Sequence, residues 1–431
     1  MRGERASGAS MLEVKARQHQ RSPDAATATS VVRERRTGQP RRLLVVSTLY
    51  PNAAQPHNGI FVENRLRHFL QDSGHQANVI APVPWFPFTN DAFGRYATFA
   101  RVPRHAERHG IPVIHPRFPV IPKIGMSISP FFLYQAMRKA VRRLMADGHR
   151  FDLIDAHYMY PDGVAAAWLA RDVGLPYVLT GRGTDLNLIP RYPVPRRLIK
   201  DAVAGADGIV TVCAALREDL VNLGIERERV TVLRNGVDLD VFQRDEEGAR
   251  QLRAERGLDG PVIASVGHLI PRKGHDLVIR ALAKLPGWQA IIAGTGPEDH
   301  ALRRLARESG VGGRVHFLGA VPHTALKQVY SAANVLVLAS SREGWPNVLL
   351  ESLACGTPVV ATAVNGSPEV VRESVAGRII RDRTPTAVAE AVAGIPACPP
   401  HPADVRRYAE QFSWRATSEG QMRLFDSILG A

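Results

Sequence analysis

The stretch from Val335 to Thr362, VLVLASSREGWPNVLLESLACGTPVVAT, restricts what this chain can fold into more than any other. VLVLA at 335–339 is apolar without alternation, the pattern of a strand buried on both faces. Gly344 and Pro346 then punctuate a turn. Proline at a helix start forfeits no hydrogen bond, so a helix is predicted from Pro346 to Cys355, stopped at Gly356. Glu343 falls in the turn and Glu351 inside the helix, roughly 7–8 Å along the axis from Pro346 at the usual rise. Two carboxylates are thereby held apart at the carboxyl mouth of a strand, with exposed helix N–H groups between them. Such a mouth suits an elongated, anionic, hydroxyl-rich ligand. On spacing alone, an ordinary turn with two solvated acids satisfies the same pattern.

Strand, loop and helix alternate elsewhere too. RRLLVVST (41–48), ANVIAPV (77–83), a run ending at His157, YVLT (177–180) and IVTVC (209–213) read as buried strands in the first half. VIASVGH (262–268), the run from Trp288 and VHFLGAV (315–321) continue the pattern in the second. This is an α/β chain with parallel sheets, and 431 residues suit two domains of about 180–200 each. Residues 82–130 break the rhythm. PVPWFPF and FPVIPKIG are too rich in proline for regular helix, so loops are predicted there. Trp85, Phe86 and Phe88 suit local packing, with contact to a sugar ring or lipid as the functional alternative.

The net charge of +14 is unevenly spread. Residues 1–42 hold ten Arg/Lys against four Asp/Glu, so +6 of it belongs to a tail whose composition cannot form a core. Residues 1–40 are therefore expected to be a disordered basic tail. The remaining +8 fits an anionic substrate or a peripheral contact with an anionic membrane, and equally a merely basic proteome. No nucleic-acid-binding motif is visible. Cys213, Cys355 and Cys398 form no metal-ligand pattern and cannot all pair, which suits a reducing compartment. Without a spanning apolar run or a secretory signal, the expected location is cytoplasmic.

EGWPNVLLESLACGTPVVAT closely resembles the most characteristic segment of the retaining family 4 glycosyltransferases. That resemblance implies the GT-B fold, two Rossmann-like domains facing across a cleft. In that family two glutamates with seven residues between them face the nucleotide sugar, and Glu343 and Glu351 occupy their positions. YPNAAQPHNGIFVE (50–63) resembles the branch acting in bacterial cell-surface polysaccharide synthesis, including teichuronic acid. VTVLRNGVD (230–238) resembles the family's interdomain boundary, so Asp238-Leu239-Asp240 is read as a linker turn and not a metal motif. The implied division is 41–236 for an acceptor-binding domain, 237–411 for a nucleotide-sugar domain, and 412–431 for helices crossing back.

The resemblance also assigns roles. Glu343 would hold sugar hydroxyls near the anomeric carbon and Glu351 the ribose hydroxyls. Arg272 and Lys273 can neutralise a diphosphate, while Gly59, Gly267 and Gly294 let backbone approach it. Asn347 and Val348 at the helix start join the donor contacts. His157 is the candidate acceptor-side base, although a lone histidine is more often structural. The family's Thr-x-His-Gly-x-Asp appears here with Arg182 in place of histidine, followed by Gly183 and an acceptor-side Asp185. Arginine cannot act as a base at neutral pH but can bind a phosphate or hydroxyl.

The implied activity is retaining transfer of a sugar from a UDP-, GDP- or ADP-linked donor to a glycan or lipid-linked glycan, with no metal or other cofactor. The alternatives are a non-catalytic sugar-nucleotide binder on the same fold and an NAD-linked oxidoreductase. The latter lacks a complete glycine fingerprint: Gly294-x-Gly296 has no third glycine.

Overall fold

A computed structural model describes residues 40–120, 125–395 and 400–430. Apart from Pro40, the expected basic tail lies outside the described residues, as does Cys398. Two sheets carry the fold. In the first, strands β1 (Arg42–Val46), β2 (Gln76–Ile80), β4 (His105–Arg108) and β5 (Ile111–Ile114) join β7 (Leu153–His157), β8 (Tyr177–Gly181), β9 (Gly208–Thr211) and β10 (Val230–Val232). A separate two-stranded pair links β3 (Val83–Pro84) to β6 (Arg117–Phe118). The second sheet comprises β11 (Val262–Val266), β12 (Gln289–Ala293), β13 (Val315–Gly319), β14 (Val335–Leu338), β15 (Val359–Thr362) and β16 (Gly377–Ile380).

Strand order is β10-β9-β8-β7-β1-β2-β5-β4 in the first sheet and β13-β12-β11-β14-β15-β16 in the second. Every pair is parallel except β4 with β5. These are the two Rossmann-like, doubly wound domains of the GT-B fold. Leu43–Val46 and Val262–Ala264 have no exposed surface, since helices cover both sheet faces. Each Val, Leu or Ile side chain among them contributes about 1.5–3 kcal/mol by leaving water. The order reverses at β1/β7 and at β11/β14, so a crevice opens beyond the carboxyl ends of those strands.

The helix Trp414–Leu429 packs against Ile60–Ser73 on the first sheet. Phe425 meets Phe69 with ring centroids 5.4 Å apart, and Trp414 stacks on His68 at the same spacing. The loops predicted over 82–130 need correction. Gly110 at φ 75° turns His105–Arg108 back on Ile111–Ile114, and that hairpin extends the sheet. A short helix, Arg95–Arg101, precedes it. Prolines do not prevent this: β5 pairs with β2 only at Val113 and Ile114, so Pro112 lies ahead of that ladder and its missing N–H does not interrupt it.

Candidate active site

The central turn folds as its punctuation requires. Pro346 caps the helix Asn347–Ala354, which Cys355 and Gly356 end. Beside it, Pro271–Lys273 form one tight turn closed by Gly274 at φ 73°. A Cβ on Gly274 would come within 2.1 Å of the Ala339 carbonyl oxygen, so only glycine lets this turn lie against the end of β14. Arg272 and Lys273 are thereby pressed against Glu343. Lys273 Nζ lies 2.7 Å from Glu343 Oε1 and Arg272 Nη1 3.4 Å from Oε2. Ser340 Oγ donates to Oε1 at 2.7 Å. Burial pushes the Glu343 carboxyl upward in pKa, but the two cations and these hydrogen bonds outweigh it and hold the group below its ordinary value. Glu343 is therefore ionised at neutral pH.

Arg272, Lys273 and Glu343 line a cleft of about 330 Å³. Its other wall comes from the first sheet: Leu49, Tyr158, Arg182, Thr184 and Asn235 among them. The walls touch through backbone. A Cβ on Gly344 would fall 1.8 Å from the Arg182 carbonyl oxygen, and one on Gly183 would meet Gly344 Cα at 3.1 Å. Asn187 Nδ2 donates to the Glu343 carbonyl at 2.9 Å, and Glu369 bonds Arg234 Nε at 2.7 Å and the Ala214 N–H at 2.8 Å. Arg182, Arg272 and Lys273 set against Glu343 leave two net positive charges facing the cleft, the complement of a diphosphate. Lys273 has three N–H donors and Glu343 takes one, so two stay available.

Two predicted roles need correction. His157 is not placed as a base. Its Nδ1 accepts from Arg182 Nη2 at 2.8 Å, and Nε2 lies 3.5 Å from Asp155 Oδ2. Burial, then the charges of Arg182 and Arg65, holds its pKa well below the usual value, so it is a neutral link in a buried chain. That chain runs from Arg65 through Gln421 and Asp155 to His157, then through Arg182 and Asn235 to Asn347. Asp185 does not face an acceptor either. It is fully buried, and its carboxylate accepts from the backbone N–H groups of Met159, Arg182 and Gly183. It shapes the loop that presents Arg182.

The structure brings together Arg182, Arg272, Lys273, Glu343, Asn347 and Val348, but not the three predicted glycines. Gly59, at φ 69°, packs against the Leu49 backbone, where a Cβ would come within 2.2 Å. Gly294 packs against the Gly267 carbonyl. They position the loops behind the lining. Glu351 lines an adjoining recess of about 20 Å³ that shares Phe61 and Asn347 with the cleft. There it accepts from Tyr330 Oη at 2.7 Å and pairs with His323 Nε2 at 3.0 Å. A ribose needs this recess to widen. Two contributors escaped the sequence reading. Tyr158 lines the cleft at φ 81°, a strained conformation for a bulky residue, and nothing local marks it. The paired glycines at 183 and 344 were marked by GRG and EGW, but their contact is visible only in three dimensions.

Residues 250–412 match the family described as Glycosyl transferases group 1, and residues 62–241 match Glycosyltransferase Family 4. The chain is 30% identical over 359 residues to the putative teichuronic acid biosynthesis glycosyltransferase TuaC of Bacillus subtilis, covering 81% of this chain and 88% of that one. It is 32% identical over 302 residues to D-inositol 3-phosphate glycosyltransferase of Mycobacterium tuberculosis, covering 65% and 62% respectively. Among solved structures, sucrose-phosphate synthase from Thermosynechococcus elongatus superposes with a TM-score of 0.73 at 20% identity, over 90% of this chain and 99% of that one. HepE of Anabaena with UDP-glucose gives 0.69 at 20%, over 90% and 100%.

Proposed function

Since the chain belongs to the group 1, family 4 glycosyltransferases and so uses a nucleotide-sugar donor, we propose that it extends a cell-surface polysaccharide or its lipid-linked precursor, with retention of anomeric configuration. The likeness to a teichuronic acid enzyme supports that acceptor class, and the cluster of Arg272, Lys273 and Glu343 carries the chemistry. Breaking the donor bond builds negative charge on the leaving diphosphate and positive charge on the anomeric carbon. Arg272 and Lys273 take the first and ionised Glu343 faces the second. Fixed charges that need no rearrangement as the bond breaks are the main source of rate. Closure of the walls at Gly183 and Gly344 excludes water that would otherwise hydrolyse the donor. The same reading takes 41–236 as the acceptor-side domain and 237–411 as the donor-side domain, with 412–431 crossing back.

Two cations at the diphosphate supply the charge that a divalent ion provides elsewhere, so transfer is expected to survive EDTA. A screen of UDP-, GDP- and ADP-sugars by thermal shift, followed by transfer assays with and without chelator, tests both parts. Activity lost to EDTA and restored by manganese overturns the metal-free reading, and no stabilisation by any nucleotide sugar overturns the donor site. Glu351 is assigned to the ribose hydroxyls once its recess widens. Glu351→Ala should weaken donor binding by about 1.5–3 kcal/mol, the value of hydrogen bonds to a charged group. Calorimetry giving unchanged donor affinity, with only a lowered Tm from the stranded Tyr330 hydroxyl, would reduce Glu351 to a structural role.

A further inference from the structure

A second cavity, of about 390 Å³, opens between the β4–β5 hairpin and the helix Gly125–Ala146. It shares no residue with the donor cleft. Ile114, Pro116, Ala136 and Leu144 give it apolar surface. Arg104, Arg117, Lys139 and Arg143 stand around this surface, and Asp147 is the one acid among the lining residues. The side chains of Arg104, Lys139 and Arg143 pair with no carboxylate among the described residues. Arg117 is held in place by uncharged groups, donating to the carbonyls of Phe99 at 2.8 Å and of Val102. Four cations around a single acid leave a net positive charge that repels itself, and an anion between them relieves the repulsion.

His115 adds a feature that a merely solvated basic face does not have. It lines the cavity yet is only 1% exposed. Its Nδ1 lies 2.9 Å from the Ala81 carbonyl oxygen, which can only accept, so Nδ1 carries the proton. Burial holds this histidine below its ordinary pKa, so the ring is neutral at pH 7 and Nε2 presents a bare lone pair. No described group satisfies it. Buried polar atoms in native proteins are seldom left so, and the natural complement here is a hydroxyl.

We propose that this cavity binds a polyol phosphate, with Arg104, Lys139 and Arg143 on the phosphate oxygens and a ligand hydroxyl donating to His115 Nε2. The apolar surface takes the carbon skeleton. The phosphate can belong to a soluble compound or to a phospholipid headgroup, and the recognition chemistry is the same. The site is separate from the donor cleft and leaves the transfer reaction there unchanged.

The test reads the site itself, because phosphates also enter the donor cleft. The rate of Lys139 acylation in the full chain is followed by mass spectrometry, with exposed Lys284 as internal reference. Glycerol 3-phosphate in about tenfold excess over its Kd should slow Lys139 about tenfold by mass action. Sodium chloride and glycerol at equal ionic strength should not. His115→Phe removes the Nε2 lone pair together with the Nδ1–H donated to Ala81, so its Tm is measured alongside, and it should reduce the protection by glycerol 3-phosphate to that given by inorganic phosphate. Phosphatidylglycerol vesicles that protect Lys139 as well, where phosphatidylcholine vesicles do not, identify the headgroup as a source. No effect of vesicles leaves the soluble compound. Protection matched by salt or shared by Lys284 overturns the proposal, as does protection by vesicles with none from glycerol 3-phosphate.

Discussion

Lys273→Ala and Arg272→Ala are each expected to lower kcat by about 10²–10³, the effect of removing one preorganised donor from a site of developing charge. The physical reason is timing. The leaving diphosphate carries more charge in the transition state than in the bound donor, so a cation beside it strengthens as the bond breaks. An interaction equal in both states would raise KM and spare kcat. Because both cations also contact Glu343, the two losses should not multiply, and the double variant should lose less than the product. Lys273→Ala leaves buried Glu343 with Ser340 Oγ at 2.7 Å and Arg272 at 3.4 Å, so its Tm must be measured alongside. A raised KM at unchanged kcat in both single variants would show that the pair only holds the donor.

Gly344→Ala should reduce kcat/KM by about 10²-fold, the cost of displacing reacting groups by around 1 Å. The added methyl would lie 1.8 Å from the Arg182 carbonyl oxygen and 3.1 Å from Gly183 Cα. Backbone on both sides cannot swing away as a side chain does. The cleft walls must part, carrying Glu343 with one wall and Arg182 with the other. Because parting relieves the clash, Tm should fall little, while small-angle scattering should record a larger radius of gyration. Wild-type kinetics in Gly344→Ala would mean that the close approach of the two walls is not part of the reactive geometry.

These two predictions differ in how far they were legible in sequence. The turn at Glu343 is written locally: an apolar run, a glycine, a proline at the helix start and a glycine at its end. Arg272 and Lys273 precede Gly274 in the same local way. The fates of His157 and Asp185 were not legible, because both depend on partners in the folded chain: Arg182 and Asp155 for one, three backbone N–H groups for the other. Proline counting misjudged 82–130 for a related reason. The hairpin at 105–114 sits at a sheet edge, and edge position is a property of topology. The pairing of Gly183 with Gly344 belongs to the same class, since no local pattern states which loops meet.

The helix Trp414–Leu429 has a consequence for the order in which this molecule can be made. Phe425 fills space against Phe69 in the first sheet's core, and Gln421 reaches Asp155 across 266 positions of sequence and Arg65 across 356. Domains generally fold as they leave the ribosome, the amino-terminal one first. Here the domain that emerges first lacks part of its own interior until residues 414–429 have been synthesised. Meanwhile Arg65, Asp155 and the ring of Phe69 lack their final partners, and the later sheet can complete itself from contiguous sequence. The second sheet has all its strands before the first domain has its last interior side chains.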